Sequence, residues 1–204
     1  MSETRIPLHS RTVRMDAVRV DEVEIEVTGH LVDERPEPED WFGVPSGLVI
    51  HDMRVTLRVR HPDLVITAAA AGMTTRPYTI CTDAVAPLQQ LVGLSVARGF
   101  TRAVNERLGR AQGCAHLTAL VHALGPVVRQ AVGVAFRGTR QAPDPGSDLW
   151  FVNTCQAWRE HGPLHSRLLA NDVEGLRALS AHRGGGSSGS PARSHLPGRI
   201  DGGP

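Results

Sequence analysis

The chain contains no lysine: all 22 basic residues among its 204 are arginine. That absence excludes Schiff-base catalysis, a pyridoxal phosphate anchor and a Walker-type phosphate loop, because each needs an amine or ammonium on a flexible stem. No dinucleotide fingerprint occurs either: the pattern Gly-x-Gly-x-x-Gly is met only at Gly184 to Gly189, in a Gly/Ser-rich stretch with no strand expected before it and no helix after it. Cysteine is scarce, at positions 81, 114 and 155 only. An odd number of thiols does not suit a disulfide framework, so each is either a small buried side chain or a reactive or ligating group. An excess of one charge is missing too, since 22 basic and 21 acidic residues leave a net +1, and no electrostatic footprint for nucleic acid results. No apolar run approaches the roughly 20 residues that cross a bilayer, and Met1-Ser2-Glu3-Thr4-Arg5 lacks the apolar stretch of a signal peptide. The expectation is a cytoplasmic protein with no membrane contact.

What is present is a patterned core, with 41% hydrophobic residues. Residues 1 to 10 read as a flexible arm and 11 to 182 as a single domain. From 183 to 204, Gly, Ser and Pro dominate without apolar period, the composition of a disordered tail. Strands are expected from Arg11 to Val18 and from Glu22 to Glu34, joined by a turn at Asp21. In the second, Val23, Ile25 and Val27 share one face and Glu22, Glu24 and Glu26 the other. An acidic, proline-broken loop, Glu34 to Asp40, leads to Trp41 and Phe42. A third strand, Val49 to Arg60, points His51, Met53, Val55, Leu57 and Val59 inward and Asp52 away. Leu64 to Ala71 makes a fourth.

Helical period follows. Thr82 or Asp83 can cap a helix reaching about Leu91, and Thr101 one from Arg102 to Leu108 closed by Gly109. Cys114 opens the longest helix, with Leu117, Leu120, Val121, Leu124, Val127, Val128, Ala131 and Val132 on one stripe despite Pro126. Asp148 to Glu160 and Asp172 to Ala181 read as two more. Strands first and helices afterwards imply an α+β fold, an antiparallel meander with helices packed on one face.

The chemistry concentrates at three junctions between elements. Gly113-Cys114-Ala115-His116-Leu117 places a thiol and an imidazole at a helix start, whose positive end favours a thiolate. Ile50-His51-Asp52-Met53 and Ile80-Cys81-Thr82-Asp83 add further ligand-type side chains. His51, Asp52, Cys81, Cys114 and His116 are therefore the candidate ligands of a Zn or Fe ion, which soft sulfur and borderline nitrogen suit. Residues two apart do not share a face of a regular helix, so Cys114 and His116 can act together only if Cys114 precedes the first turn. The plainer alternatives are a His51 satisfied by a backbone carbonyl and a Cys81 that fills core. Core packing is also the expectation for Cys155, in an aromatic helix. His161 and His165 flank Pro163, which opposes a continuous helix carrying both as a metal pair. Gly93-Leu94-Ser95-Val96-Ala97 lacks the strand-elbow-helix setting of a serine nucleophile.

Five segments, Leu31 to Asp33, Ile50 to Met53, Tyr78 to Cys81, Leu91 to Leu94 and Gly113 to Leu117, resemble a bacterial family known as domain of unknown function 2889, over about residues 11 to 165. The resemblance implies a protein of unassigned activity, often encoded beside genes for breakdown of aromatic or steroidal compounds. More distantly, the order of strand meander, ligand at a strand start, cysteine before a helix, turn, and cysteine on a long helix is similar to the scaffolds on which iron-sulfur clusters are assembled. That likeness implies His51 with Asp52 as the first ligand position, Cys81 as the second and Cys114 with His116 as the third, around a metal or an iron-sulfur cluster. Three functions compete: an accessory protein carrying a metal or cluster for a catabolic enzyme partner, a thiol- or metal-assisted hydrolase with Cys114 as nucleophile, and a non-catalytic interaction module.

Overall fold

The computed structural model describes residues 5–37, 39–41, 44–136, 149 and 151–180. The chain forms two compact units, Met1–Ala142 and Pro143–Pro204. In the first, strands β1 (Ser10–Arg19), β2 (Glu24–Glu34), β5 (Val49–Arg60) and β6 (Val65–Thr75) make an antiparallel sheet in the order β1-β2-β5-β6. A small hairpin, β3 (Glu39–Trp41) and β4 (Val44–Ser46), lies between β2 and β5 in the chain; Phe42 lies outside the described residues. Helices follow the strands, so the fold is α+β as the pattern implied.

Period-two alternation governs the sheet. Strand β2 buries Ile25, Val27, Gly29, Leu31 and Asp33 and leaves Glu24, Glu26, Thr28, His30 and Val32 half-buried on the other face. Strand β5 buries Met53, Val55, Leu57 and Val59 on the same side. Asp21 closes the β1–β2 turn by accepting the backbone N–H groups of Val23 and Glu24 at 2.8 Å each, the Asx geometry that makes aspartate a turn residue. A bulge opposite Arg58 and Val59 leaves Thr67 unpaired in β6, and its hydroxyl donates to Glu24 Oε1 at 2.8 Å. The inward parity resumes with Ala69 and Met73, so the strand runs on past Ala71 to Thr75.

The helix expected to reach Leu91 is instead two 3-10 turns, Thr79–Ala84 and Ala86–Leu91. Pro87 has no N–H to donate and disfavours helical geometry in the residue before it, so an unbroken ladder cannot form. Leu88 and Leu91 still reach the core. Beyond Gly93 the chain runs along β6, with Ile66 N–H donating to Leu94 and Val96 N–H to Leu64. The Ser95 hydroxyl is tied to the Asp63 carbonyl at 2.9 Å, a local structural role rather than that of a nucleophile.

Helix α1 (Phe100–Leu108) starts after Gly99, which holds φ 68°, rather than at Thr101. Helix α2 (Ala115–Ala135) buries Leu117, Leu120, Val121, Leu124, Val128 and Val132 against the sheet. Close approach to β2 is possible because of Gly29, where an added Cβ would lie 3.0 Å from Met15 Sδ and 3.2 Å from Leu120 Cδ2. By length and composition α2 is large enough to cross a membrane, contrary to the expectation of no such run. Its apolar stripe packs on the sheet, the pattern of a core helix.

In the second unit, α3 (Pro163–Leu169) begins on Pro163 and α4 (Val173–Ala178) is capped by Asp172, which accepts the Gly175 N–H at 2.8 Å. The helix expected from Asp148 to Glu160 does not form over its described residues. They make successive turns, with Asn153 at φ 61° and its side chain accepting the Glu160 N–H, a loop closure across seven residues that a continuous helix would not allow. Cys155 is exposed there, not packed in a core. The tail from 183 onward lies outside the described residues.

Candidate metal centre

Register brings the site together. The antiparallel pairing sets Arg11 of β1 opposite Asp33 of β2, and Asp33 opposite His51 of β5. These residues form one row across three strands, on the face that carries the core. Arg11 donates through Nε and Nη2 to the two oxygens of Asp33, at 2.6 and 2.8 Å, the bidentate fork that only arginine offers. His51 Nδ1 lies 2.9 Å from Asp33 Oδ2. His9, two residues before Arg11, brings Nε2 to 3.3 Å from Oδ1. Asp33 is 1% exposed at the middle of this group.

Helix α2 supplies the last member. Gly113 passes so close under the end of α1 that an added Cβ would lie 2.7 Å from the Leu108 carbonyl oxygen, which leaves room for glycine alone. The Thr118 hydroxyl donates to the same carbonyl at 3.0 Å and fastens the junction. Cys114 thereby becomes the extended residue ahead of the helix and His116 falls in its first turn. His116 Nε2 lies 3.5 Å from Asp33 Oδ2, and its ring rests on that of His51 with centroids 3.9 Å apart. Its Nδ1 is 3.7 Å from Cys114 Sγ, so thiol and imidazole do meet, because Cys114 precedes the first turn.

Burial opposes ionisation of Asp33, but hydrogen bonds from Arg11 and His51 and the positive charges of Arg11 and His116 outweigh it and hold the carboxyl at about 2. The group is a carboxylate throughout the neutral range. Burial pushes His116 down from the ordinary imidazole value, and the charges of His51, Arg11 and His9 add to this against the pull of Asp33. Its neutral form, the one with a lone pair to give, is favoured.

Asp33, His51 and His116 each offer one ligand atom, all within 4.8 Å of one another. Bonds of about 2.0 to 2.2 Å to a tetrahedral ion require ligand separations of about 3.3 to 3.6 Å. The 2.9 and 3.5 Å spacings already present from Asp33 Oδ2 to the two rings lie near that requirement. The group can hold a metal ion.

The sequence-based candidates divide accordingly. His51 and His116 enter the group, and Cys114 touches it through His116. Asp52 does not: it occupies the opposite face of β5, where His30 Nε2 lies 2.7 Å from its Oδ1. Cys81, in the first 3-10 turn, is half-buried and packs against the aliphatic core, which answers to the core-filling alternative. Asp33 was recognised only as part of a strand-end motif and not as a ligand. The signal lay in its parity, an acid on the buried face of β2. His161 and His165 form no shared site, since His165 Nδ1 accepts the His161 N–H at 3.0 Å.

The chain matches no curated protein and no solved structure. The family described as protein of unknown function (DUF2889) matches residues 9–130, more than half of the chain and all of this cluster, and the chain belongs to that family.

Proposed function

We propose that this chain is a metal-binding accessory protein that holds a single divalent ion on Asp33, His51 and His116. The observation that carries the reading is the convergence of three ligand atoms within 4.8 Å from β2, β5 and the start of α2, with the carboxylate ionised and buried. Two imidazoles and one carboxylate suit Zn or Fe(II) and leave coordination positions open for water or an incoming group. Iron-sulfur clusters are held chiefly by thiolates, and this donor set has none, so a mononuclear ion is favoured over a cluster. In this reading the protein works in the cytoplasm and its open position serves an enzyme partner; the resemblance to a family often encoded beside genes for aromatic or steroid breakdown supports a catabolic one. Protein purified without affinity metals and dialysed against Zn²⁺ should retain one equivalent by elemental analysis, and His51→Ala and His116→Ala should retain none. Retention by both variants would end this reading.

One geometric fact favours a second reading. Cys114 Sγ, His116 and Asp33 stand in line, with 3.7 Å from thiol to Nδ1 and 3.5 Å from Nε2 to carboxylate, the order of a nucleophile, a base and its orienting acid. Here Cys114 would attack a thioester or activated carbonyl. Alkylation distinguishes the two: a nucleophile reacts rapidly in metal-free protein and slows in His116→Ala, whereas a thiol that only neighbours the centre shows no such dependence.

A further inference from the structure

Asp33 has two sides. Its Oδ2 faces His51 and His116, the imidazoles assigned to the ion, and also accepts from Arg11 Nη2 at 2.8 Å, while its Oδ1 faces the start of β1, where Arg11 Nε and His9 Nε2 lie 2.6 and 3.3 Å away. His9, just before β1, and Arg11, its second residue, both reach Oδ1. They differ from the inner groups in freedom, since His9 is 46% and Arg11 40% exposed while Asp33 is 1% exposed. Arg11 occupies the same Oδ2 that the ion would use, and its charge repels a divalent ion at that range. Arg11 is thus a resident cation on the centre, and its exposed stem gives it somewhere to go.

We propose that residues 9 to 11 gate the centre: an arriving divalent ion displaces the Arg11 guanidinium from Asp33, and His9, already beside Oδ1, becomes the fourth protein ligand. The step breaks the two Arg11–Asp33 hydrogen bonds and the His51–Asp33 one, whose proton goes to solvent or to the other ring nitrogen, and forms coordination bonds from Asp33, His51, His116 and a ring nitrogen lone pair of His9, with no change of oxidation state. This inference rests on the proposed metal centre and names how its occupancy is controlled. With the strand pairing intact, the Arg11 side chain turns outward on its exposed stem and withdraws the cation, and His9, just ahead of β1, is already within reach of the vacated carboxylate.

The test uses the full chain, stripped with chelator and titrated with Co²⁺ against a competing chelator, with the visible spectrum of bound Co²⁺ reporting coordination. His9→Ala, at an exposed position, should weaken Co²⁺ binding by at least the roughly 10- to 100-fold that losing an outer partner of a metal site costs, and should change the spectrum. Arg11→Gln should tighten binding severalfold, with urea unfolding of the metal-free protein checking that it folds. If His9→Ala binds Co²⁺ as tightly as the parent with the same spectrum while His51→Ala binds none, the gate is overturned and the three-residue centre stands. If the parent chain binds no Co²⁺, the centre and the gate fall together.

Discussion

Two His–Asp pairs tie β2 to β5, one on each face of the sheet. On the core face His51 Nδ1 lies 2.9 Å from Asp33, and on the other His30 Nε2 lies 2.7 Å from Asp52. Chemistry and distance are nearly the same, and the surroundings are not. Asp33 is 1% exposed, whereas His30 and Asp52 are 30% and 31% exposed. The buried carboxylate had to collect Arg11, His9, His51 and His116 around it, because a lone charge without water is costly. Asp52 keeps part of its hydration and needs one partner. A row of ligand-type groups therefore accumulates where burial forces it, and that accumulation makes the core face the site.

Substitution at the two aspartates should separate the faces most clearly. Asp33→Asn is expected to lower unfolding free energy by about 3 kcal/mol, as removal of one member of a buried charge network does, and to abolish metal uptake. Asp52→Asn should cost less than about 1 kcal/mol, as for half-exposed pairs, and leave uptake intact. Urea unfolding measures both, and equal losses would erase the distinction drawn here.

Acid sharpens the same contrast. Asp33 is held at about 2 against its ordinary 3.8, so the unfolded chain takes up the proton first as pH falls. The stabilisation is fully present above about pH 4 and disappears toward pH 2; it amounts to about 2 kcal/mol. The stability difference between the parent and Asp33→Asn should shrink over that window. A smaller effect is expected where the two halves of the site are joined. Gly113→Ala must push against the Leu108 carbonyl and should cost about 1 to 2 kcal/mol, while weakening metal binding by shifting His116; Gly72→Ala, at a strand position with open space, should change neither.

Much of this architecture could be read in the residues. Alternation in β2 and β5, the Asp21 turn and the stripe of α2 are local patterns, and the structure reproduces them. His51 and His116 were also legible, because a ligand-type side chain stood at the start of a strand or helix. Asp33 was not, although its odd position put it on the buried face with Ile25 and Leu31, because the register that sets it opposite Arg11 and His51 depends on pairing between distant segments. Asp52 entered the candidate set as a neighbour of His51 in the chain, yet adjacent residues of a strand point to opposite faces. Cys81 was marked by its junction alone, and the direction of a side chain in a 3-10 turn follows from packing. The turns from 151 to 160 are not legible in an aromatic pattern that suits a helix, because they are closed by bonds between Asn153 and residues 158 and 160, with Asn153 in a left-handed conformation.

X-ray absorption at the metal edge of the Zn²⁺-loaded chain tests the central claim most directly. Scattering from nitrogen and oxygen alone at about 2.0 to 2.1 Å, with the outer-shell features of coordinated imidazole, is the expected result. A sulfur shell at about 2.3 Å, lost in Cys81→Ser or Cys114→Ser, would contradict it and return the site to the thiols.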